Sequence, residues 1–242
     1  MNRRNFLFTS FGLASTPFWA NSLPKNPYST EMLLGMSELP LYKETIPLAK
    51  KAGKAFEKMR KAAIKEGVVL EIVSGYRSYD RQKAIWNRKY KANETAGLSP
   101  EQNIKKIIEY STLPGTSRHH WGTDVDIVDG SKPKVGDVLV AEKFHNKGPY
   151  TQLKKWMDQH AKKFGFYLPY TQNPNRKGFY YEPWHYSYAP LSISLLKSYT
   201  SLDLNKVLIT EGLEGSAHLN SEFITTYYKE NILGIAAELK NF

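Results

Sequence analysis

The sequence predicts an α+β fold, and three observations carry the prediction. Apolar residues recur at helical spacing in several long segments. Short β-branched runs around Val68 to Val73 and Val125 to Val128 read as strands. The two kinds of element are interleaved without the regular alternation that builds a parallel sheet. At 242 residues, 41% hydrophobic and 24% charged, the chain can bury a full core in one medium domain with a small appendage.

Taken in order, residues 1–20 read as an export signal. Arg3 and Arg4 precede a short apolar stretch from Phe6 to Ala20, with no acid before residue 21. That stretch is shorter than the roughly 20 residues a membrane-spanning helix needs. The order Arg3-Arg4-Asn5-Phe6-Leu7 resembles a twin-arginine signal, so a periplasmic or cell-envelope location is expected. Residues 21–40, rich in Pro, Ser and Asn, read as a linker. A body over 41–200 and a helical extension over 201–242 complete the expected organisation.

Within the body, Leu48, Ala52, Ala55, Phe56, Met59 and Ala63 predict a helix over 41–66, stopped by Gly67. The run Val68 to Val73 predicts a buried strand that leads through Ser74-Gly75-Tyr76 into Arg77. A helix follows over 79–91. Ser99-Pro100-Glu101-Gln102 opens another, with a capping-box pattern and proline at the first helical position. Val125, Ile127 and Val128 predict a strand that also carries Asp124 and Asp126. Leu153, Trp156, Met157 and Phe164 predict a helix over 150–164, closed by Gly165. One or two strands are expected over 178–188, and a last helix over 221–235 packed on the body.

Composition narrows the chemistry. The chain has no cysteine, which removes disulfides, thiol nucleophiles and cysteine metal sites and leaves His, Asp and Glu as ligands. The formal charge of +11 points to an acidic partner, such as anionic wall polymer or a membrane surface. Nucleic acid is not expected, because no basic block or nucleic-acid motif accompanies the charge. Oligomeric state is not legible.

The densest chemistry lies in Ser117-Arg118-His119-His120-Trp121-Gly122-Thr123-Asp124-Val125-Asp126 and, later, Glu182-Pro183-Trp184-His185. Two histidines and one carboxylate suit a catalytic zinc that keeps a position open for water. Asp124 and Asp126 share a face of their strand, because side chains alternate. One can bind the metal while the other orients a ligand. Between the adjacent histidines, spacing favours His119 over His120. Glu182 is a candidate base, although in a fully extended strand it and His185 would point to opposite faces. Arg77 can stabilise an oxyanion or bind a substrate carboxylate, and Ser117 can donate to that same group. Trp121 and Trp184 are expected to wall the site.

These motifs, with Ser74-Gly75-Tyr76-Arg77-Ser78, resemble the VanY-type zinc D-alanyl-D-alanine carboxypeptidases of the LAS metallopeptidase group. The resemblance spans roughly residues 70–188. It implies a small antiparallel sheet flanked by helices, with the zinc site at the sheet face. It implies one zinc per chain on His119, Asp126 and His185, Glu182 as general base, and Arg77 and Ser117 near the substrate. The implied substrate is a peptidoglycan stem peptide. Where the family often has a small residue, commonly alanine, this chain has Asp124, which is expected behind the ligands. An L,D-carboxypeptidase or endopeptidase using the same site, and a non-catalytic wall-binding module, are the competing readings.

Overall fold

A small antiparallel sheet and the turns at its strand ends position the residues of interest. The computed structural model describes residues 26–208 and 211–242; the expected export signal lies outside the described residues. A short helix α1 (Thr30–Leu33) leads into a hairpin of β1 (Leu41–Lys43) and β2 (Ile46–Ala49), followed by α2 (Lys50–Lys65) and β3 (Leu70–Ser74). Helices α3 (Tyr79–Thr95) and α4 (Pro100–Ile107) precede β4 (Asp124–Asp129). Next come α5 (Thr151–His160), β5 (Phe166–Tyr167), β6 (His185–Tyr188) and α6 (Ala189–Tyr199). A short α7 (Leu204–Val207) and α8 (Ser221–Tyr227) lie near the C-terminus. The main sheet has the order β3-β4-β6-β5, with every neighbouring pair antiparallel.

The sheet separates two apolar clusters. On one side Val125 and Ile127 of β4 and Tyr186 of β6 pack with Phe56 and Met59 of α2 and with Trp156 and Met157 of α5. The other cluster joins Trp86 of α3, Ile104 of α4, Leu196 and Tyr199 of α6, and Ile224 and Tyr227 of α8. Residues after Ser201 thus contribute to the same core as the body. Tyr227 reinforces this: its hydroxyl accepts from Leu113 N–H at 3.1 Å and lies 2.9 Å from Thr116 Oγ1.

Several elements differ from the sequence expectation. The helix expected over 41–66 begins only at Lys50, because Ile46 and Leu48 alternate inward as β2. Long-range bonds hold that strand in place: Pro47 C=O accepts from Tyr76 N–H, and Ala49 N–H donates to Gly122 C=O. The stretch expected as a linker is packed from Asn26 onward. Leu33 and Leu34 are buried, and Leu33 C=O accepts from the Trp121 indole at 3.0 Å. Over 178–188 only His185–Tyr188 is strand. The expected helix over 150–164 tightens to a 3₁₀ turn after His160, and that over 221–235 gives way to a π-helical turn after Tyr227. The capping box of α4 forms as its residues predict.

Candidate metal centre

Strand register brings the site together. In the β4–β6 ladder Asp126 lies opposite His185, and Asp124 lies opposite Ser187. Directly opposed residues of an antiparallel pair share a face, so all four side chains leave the sheet on one side. His119 reaches the same point from the 3₁₀ turn Arg118–Trp121, which ends in Gly122 at φ +63°. A Cβ at Gly122 would stand 2.8 Å from Ala49 N, so glycine is required for both conformation and space. One donor atom from each of His119, Asp126 and His185 can be chosen so that all lie within 4.8 Å of one another.

The outer partners determine which imidazole nitrogens face inward. His119 Nδ1 is 2.8 Å from Gly75 C=O, an acceptor only, so Nδ1 carries the hydrogen. Nε2 is left with its lone pair, 3.4 Å from Asp126 Oδ2. His185 Nε2 is 3.0 Å from Asp124 Oδ1, leaving Nδ1 toward Asp126 Oδ1 at 3.5 Å. Asp124 therefore stands behind His185. It also accepts from Arg118 Nε at 2.9 Å, Thr123 Oγ1 at 2.6 Å and Ser187 Oγ at 2.9 Å. His120 has no free nitrogen: Nδ1 donates to Arg77 C=O at 2.6 Å, and Nε2 accepts from Gly115 N–H at 3.1 Å.

Glu182 approaches the centre despite its odd spacing from His185. The chain turns there, with His185 N–H donating to Glu182 C=O at 3.2 Å, and Pro183 contributes no donor that would favour a ladder. The Glu182 carboxylate consequently lies 2.9 Å from His185 Nδ1. Arg77 is held by Gln82 Oε1 and Ser74 Oγ, each at 2.8 Å, and its guanidinium is 3.9 Å from Asp126 Oδ2. Ser117 caps the 3₁₀ turn by accepting from His119 N–H at 3.3 Å. Arg77, Ser117, Glu182 and Trp184 all line one cleft of about 530 Å³ with the three donors at its floor. Trp121 does not line it; its ring packs on Tyr199 in the core.

Charge inside the cluster is strongly perturbed. Burial opposes the Asp124 charge, but Arg118 and then His185 hold it well below the usual carboxylate range. Asp126 is likewise held down, against burial, by His119, His185 and Arg77. Burial pushes Glu182 up. His185 rises to about 10, because the hydrogen bonds to Asp124 and Glu182, with Asp126 beside them, outweigh the burial that disfavours its charge. The donor set fits zinc. Two nitrogens and an oxygen converge on one point, and loss of the His185 Nδ1 proton would free its lone pair for a metal. Asp126 Oδ1 is buried with no hydrogen-bond partner, as a metal-facing oxygen would be.

Sequence reasoning missed Arg118, which neutralises Asp124, and Gln82, which fixes Arg77. Arg118 follows Ser117 in the motif and looks there like a surface cation; only the fold shows it buried. Tyr170 was also missed, although it packs edge-on to the His185 ring at 5.0 Å.

Comparisons with known proteins bear on this site. A family model described as VanY, D-alanyl-D-alanine carboxypeptidase, matches residues 45–191. A putative carboxypeptidase, YodJ, of Bacillus subtilis is 38% identical over 142 residues, which cover 58% of this chain and 46% of that protein. A D-alanyl-D-alanine carboxypeptidase of Enterococcus faecalis is 28% identical over 151 residues, 62% of this chain and 51% of that one. The chain thus spans about half the length of these curated relatives. Among solved structures, a mutant of the vancomycin-resistance D,D-pentapeptidase VanY in complex with Zn(II) superimposes with a TM-score of 0.51. At 24% identity, covering 71% of this chain and 89% of that one, it shows a shared fold.

Proposed function

Because the chain belongs to the VanY family of D-alanyl-D-alanine carboxypeptidases, we propose that it is a zinc peptidase that removes the terminal D-alanine from peptidoglycan stem peptides. The observation that carries the reading is the convergence of His119, Asp126 and His185 at the floor of a cleft lined by Glu182 and Arg77. A zinc ion held there would supply Lewis acidity and lower the pKa of water toward neutrality.

The chain's own residues divide the remaining work. The raised, buried Glu182 carboxylate is suited to take a proton from the attacking water and to deliver it to the leaving amine nitrogen. Arg77, fixed by Gln82 and Ser74, is pre-organised for the terminal carboxylate of the peptide. Ser117 lies beside it with a hydroxyl to donate. Trp184 and Tyr170 form apolar wall that limits water at the scissile bond. A cell-envelope location, supported by the basic and apolar pattern of residues 1–20, would put the enzyme where this polymer is found.

Mass spectrometry of stem peptides incubated with the zinc-loaded protein tests the proposal. Loss of one terminal alanine from a pentapeptide is expected. Cuts elsewhere would move the assignment to an L,D-carboxypeptidase or endopeptidase, and no cleavage to a wall-binding module. Glu182→Ala should lower turnover by roughly 10²–10⁴ while zinc stays bound; unchanged turnover would remove Glu182 from the reaction.

A further inference from the structure

The cleft extends beyond the metal centre along α3, whose cleft-facing side presents Ile85, the partly buried Lys89 and the exposed Arg88. Neither cation has a hydrogen bond or ion pair among the described residues. Other α3 lysines do have partners: Lys83 donates to Glu211 C=O at 2.6 Å, and Lys91 pairs with Glu214 at 3.2 Å. The acids nearby do not fill the vacant role. Asp126 and Glu182 belong to the metal centre. Asp137 and Glu142 also line the cleft; Asp137 already accepts from Leu139 N–H at 3.0 Å, and neither acid pairs with Arg88 or Lys89.

Lys89 is only partly exposed, and burial lowers its pKa; Glu182 and, more weakly, Asp137 favour its charge, while the neighbouring Arg77 and Arg88 cations oppose it. Holding an ammonium partly desolvated and unpaired is costly unless something pairs it in use. Spacing sets where such a partner sits. Residue 89 is ten residues beyond the start of α3, about 15 Å along the axis from the end that carries Arg77. The long Arg and Lys side chains shorten that span, and an extended peptide covers about 3.3 Å per residue. A group that reaches Lys89 while the C-terminus meets Arg77 is therefore only a few residues upstream.

We propose that Arg88 and Lys89 form a second anion subsite, which takes a free carboxylate carried by the peptide a few residues before its C-terminus. The substrate class is thereby narrowed to acidic peptides, in which that carboxylate is neither amidated nor cross-linked. The inference rests on the peptidase reading for the direction in which the peptide lies. It does not rest on turnover, because recognition of the anion can be measured without it.

The test uses two synthetic stem peptides that differ only in whether the internal carboxylate is free or amidated. Their affinities are measured by calorimetry on zinc-loaded Glu182→Gln protein, and their kcat/KM values on the unaltered protein. A preference of roughly 10- to 100-fold for the free acid is expected from one well-made charge-assisted pair. The double variant Lys89→Met with Arg88→Gln should abolish that preference and leave the amidated peptide unaffected, whereas Lys89→Arg should retain it. Equal treatment of the two peptides by the unaltered protein, or a preference that survives the double variant, would overturn the proposal. Preferential binding without cleavage would uphold the subsite and sink the peptidase reading; cleavage without preference would do the reverse.

Discussion

Replacing Asp124 tests whether the buried acid behind His185 works through that histidine or merely neutralises Arg118. Four donors converge on its two oxygens: His185 Nε2, Arg118 Nε, Thr123 Oγ1 and Ser187 Oγ. Asn keeps the shape but offers one acceptor oxygen and turns an NH₂ toward the remaining donors. The Arg118 guanidinium, 5% exposed, loses its counter-charge. Leaving a buried charge without its partner costs about 3–5 kcal/mol, so Asp124→Asn should melt at a markedly lower temperature in the metal-free state. Zinc affinity should fall separately, by roughly 10–100-fold, because a carboxylate no longer orients the ring and raises its basicity. That is about 1.4–2.7 kcal/mol. Chelator competition measures the affinity, and thermal melting of metal-free protein measures the stability. Adding Arg118→Met removes the stranded charge, so the double variant should regain stability but not zinc affinity. Unchanged zinc affinity in Asp124→Asn would refute the orienting role. Complete metal loss in a folded protein would make Asp124 itself a ligand.

Two further predictions follow from protons. His120 is buried as the neutral Nδ1–H form, and burial, with Arg77 and His119 nearby, lowers it from 6.5 to about 4. The unfolded chain therefore binds the extra proton between those values, and stability is full above pH 6.5 and lost as pH falls toward 4, by roughly 3 kcal/mol. His120→Gln should flatten the stability profile of the metal-free protein across that window, and an unaltered slope would contradict the assignment. His185 is raised to about 10 without metal, yet a metal ligand must be deprotonated, so zinc binding at pH 7.5 should release about one proton. Calorimetry in buffers of different ionisation enthalpy reads that release, and none observed would mean the ring was neutral beforehand.

The parts of the site legible in the sequence are those governed by local periodicity. Asp124 and Asp126 are two apart in a β-branched run, so their shared face follows from the pleat alone. The capping box at Ser99 and the glycine stop after Phe164 are equally local. The hairpin before α2 was not legible. Leu48 fits the helical stripe of that segment, and only the tertiary bonds at Pro47 and Ala49 decide for a strand. The approach of Glu182 to His185 was hidden for a similar reason. Alternation applies to a strand, and the turn at Pro183 removes the strand from that stretch.

The same distinction explains why His119 and His120, adjacent and chemically identical, have different fates. Motif spacing favours His119, and the loops around the pair supply the physical reason. Gly35, at φ +75°, brings its backbone so close to His120 that a Cβ there would stand 2.4 Å from Nδ1. The ring is thereby confined between Arg77 C=O and Gly115 N–H, with one nitrogen donating and the other accepting. His120 is thus a strut that holds the backbone of Arg77, while its neighbour His119 is turned to the cleft by Gly75 C=O. Arg77 N–H in turn donates to His119 C=O at 3.1 Å, so the cation and the first metal-facing histidine share one backbone frame. A change at His120 should therefore displace the Arg77 guanidinium and the His119 ring together, although His120 itself does not line the cleft.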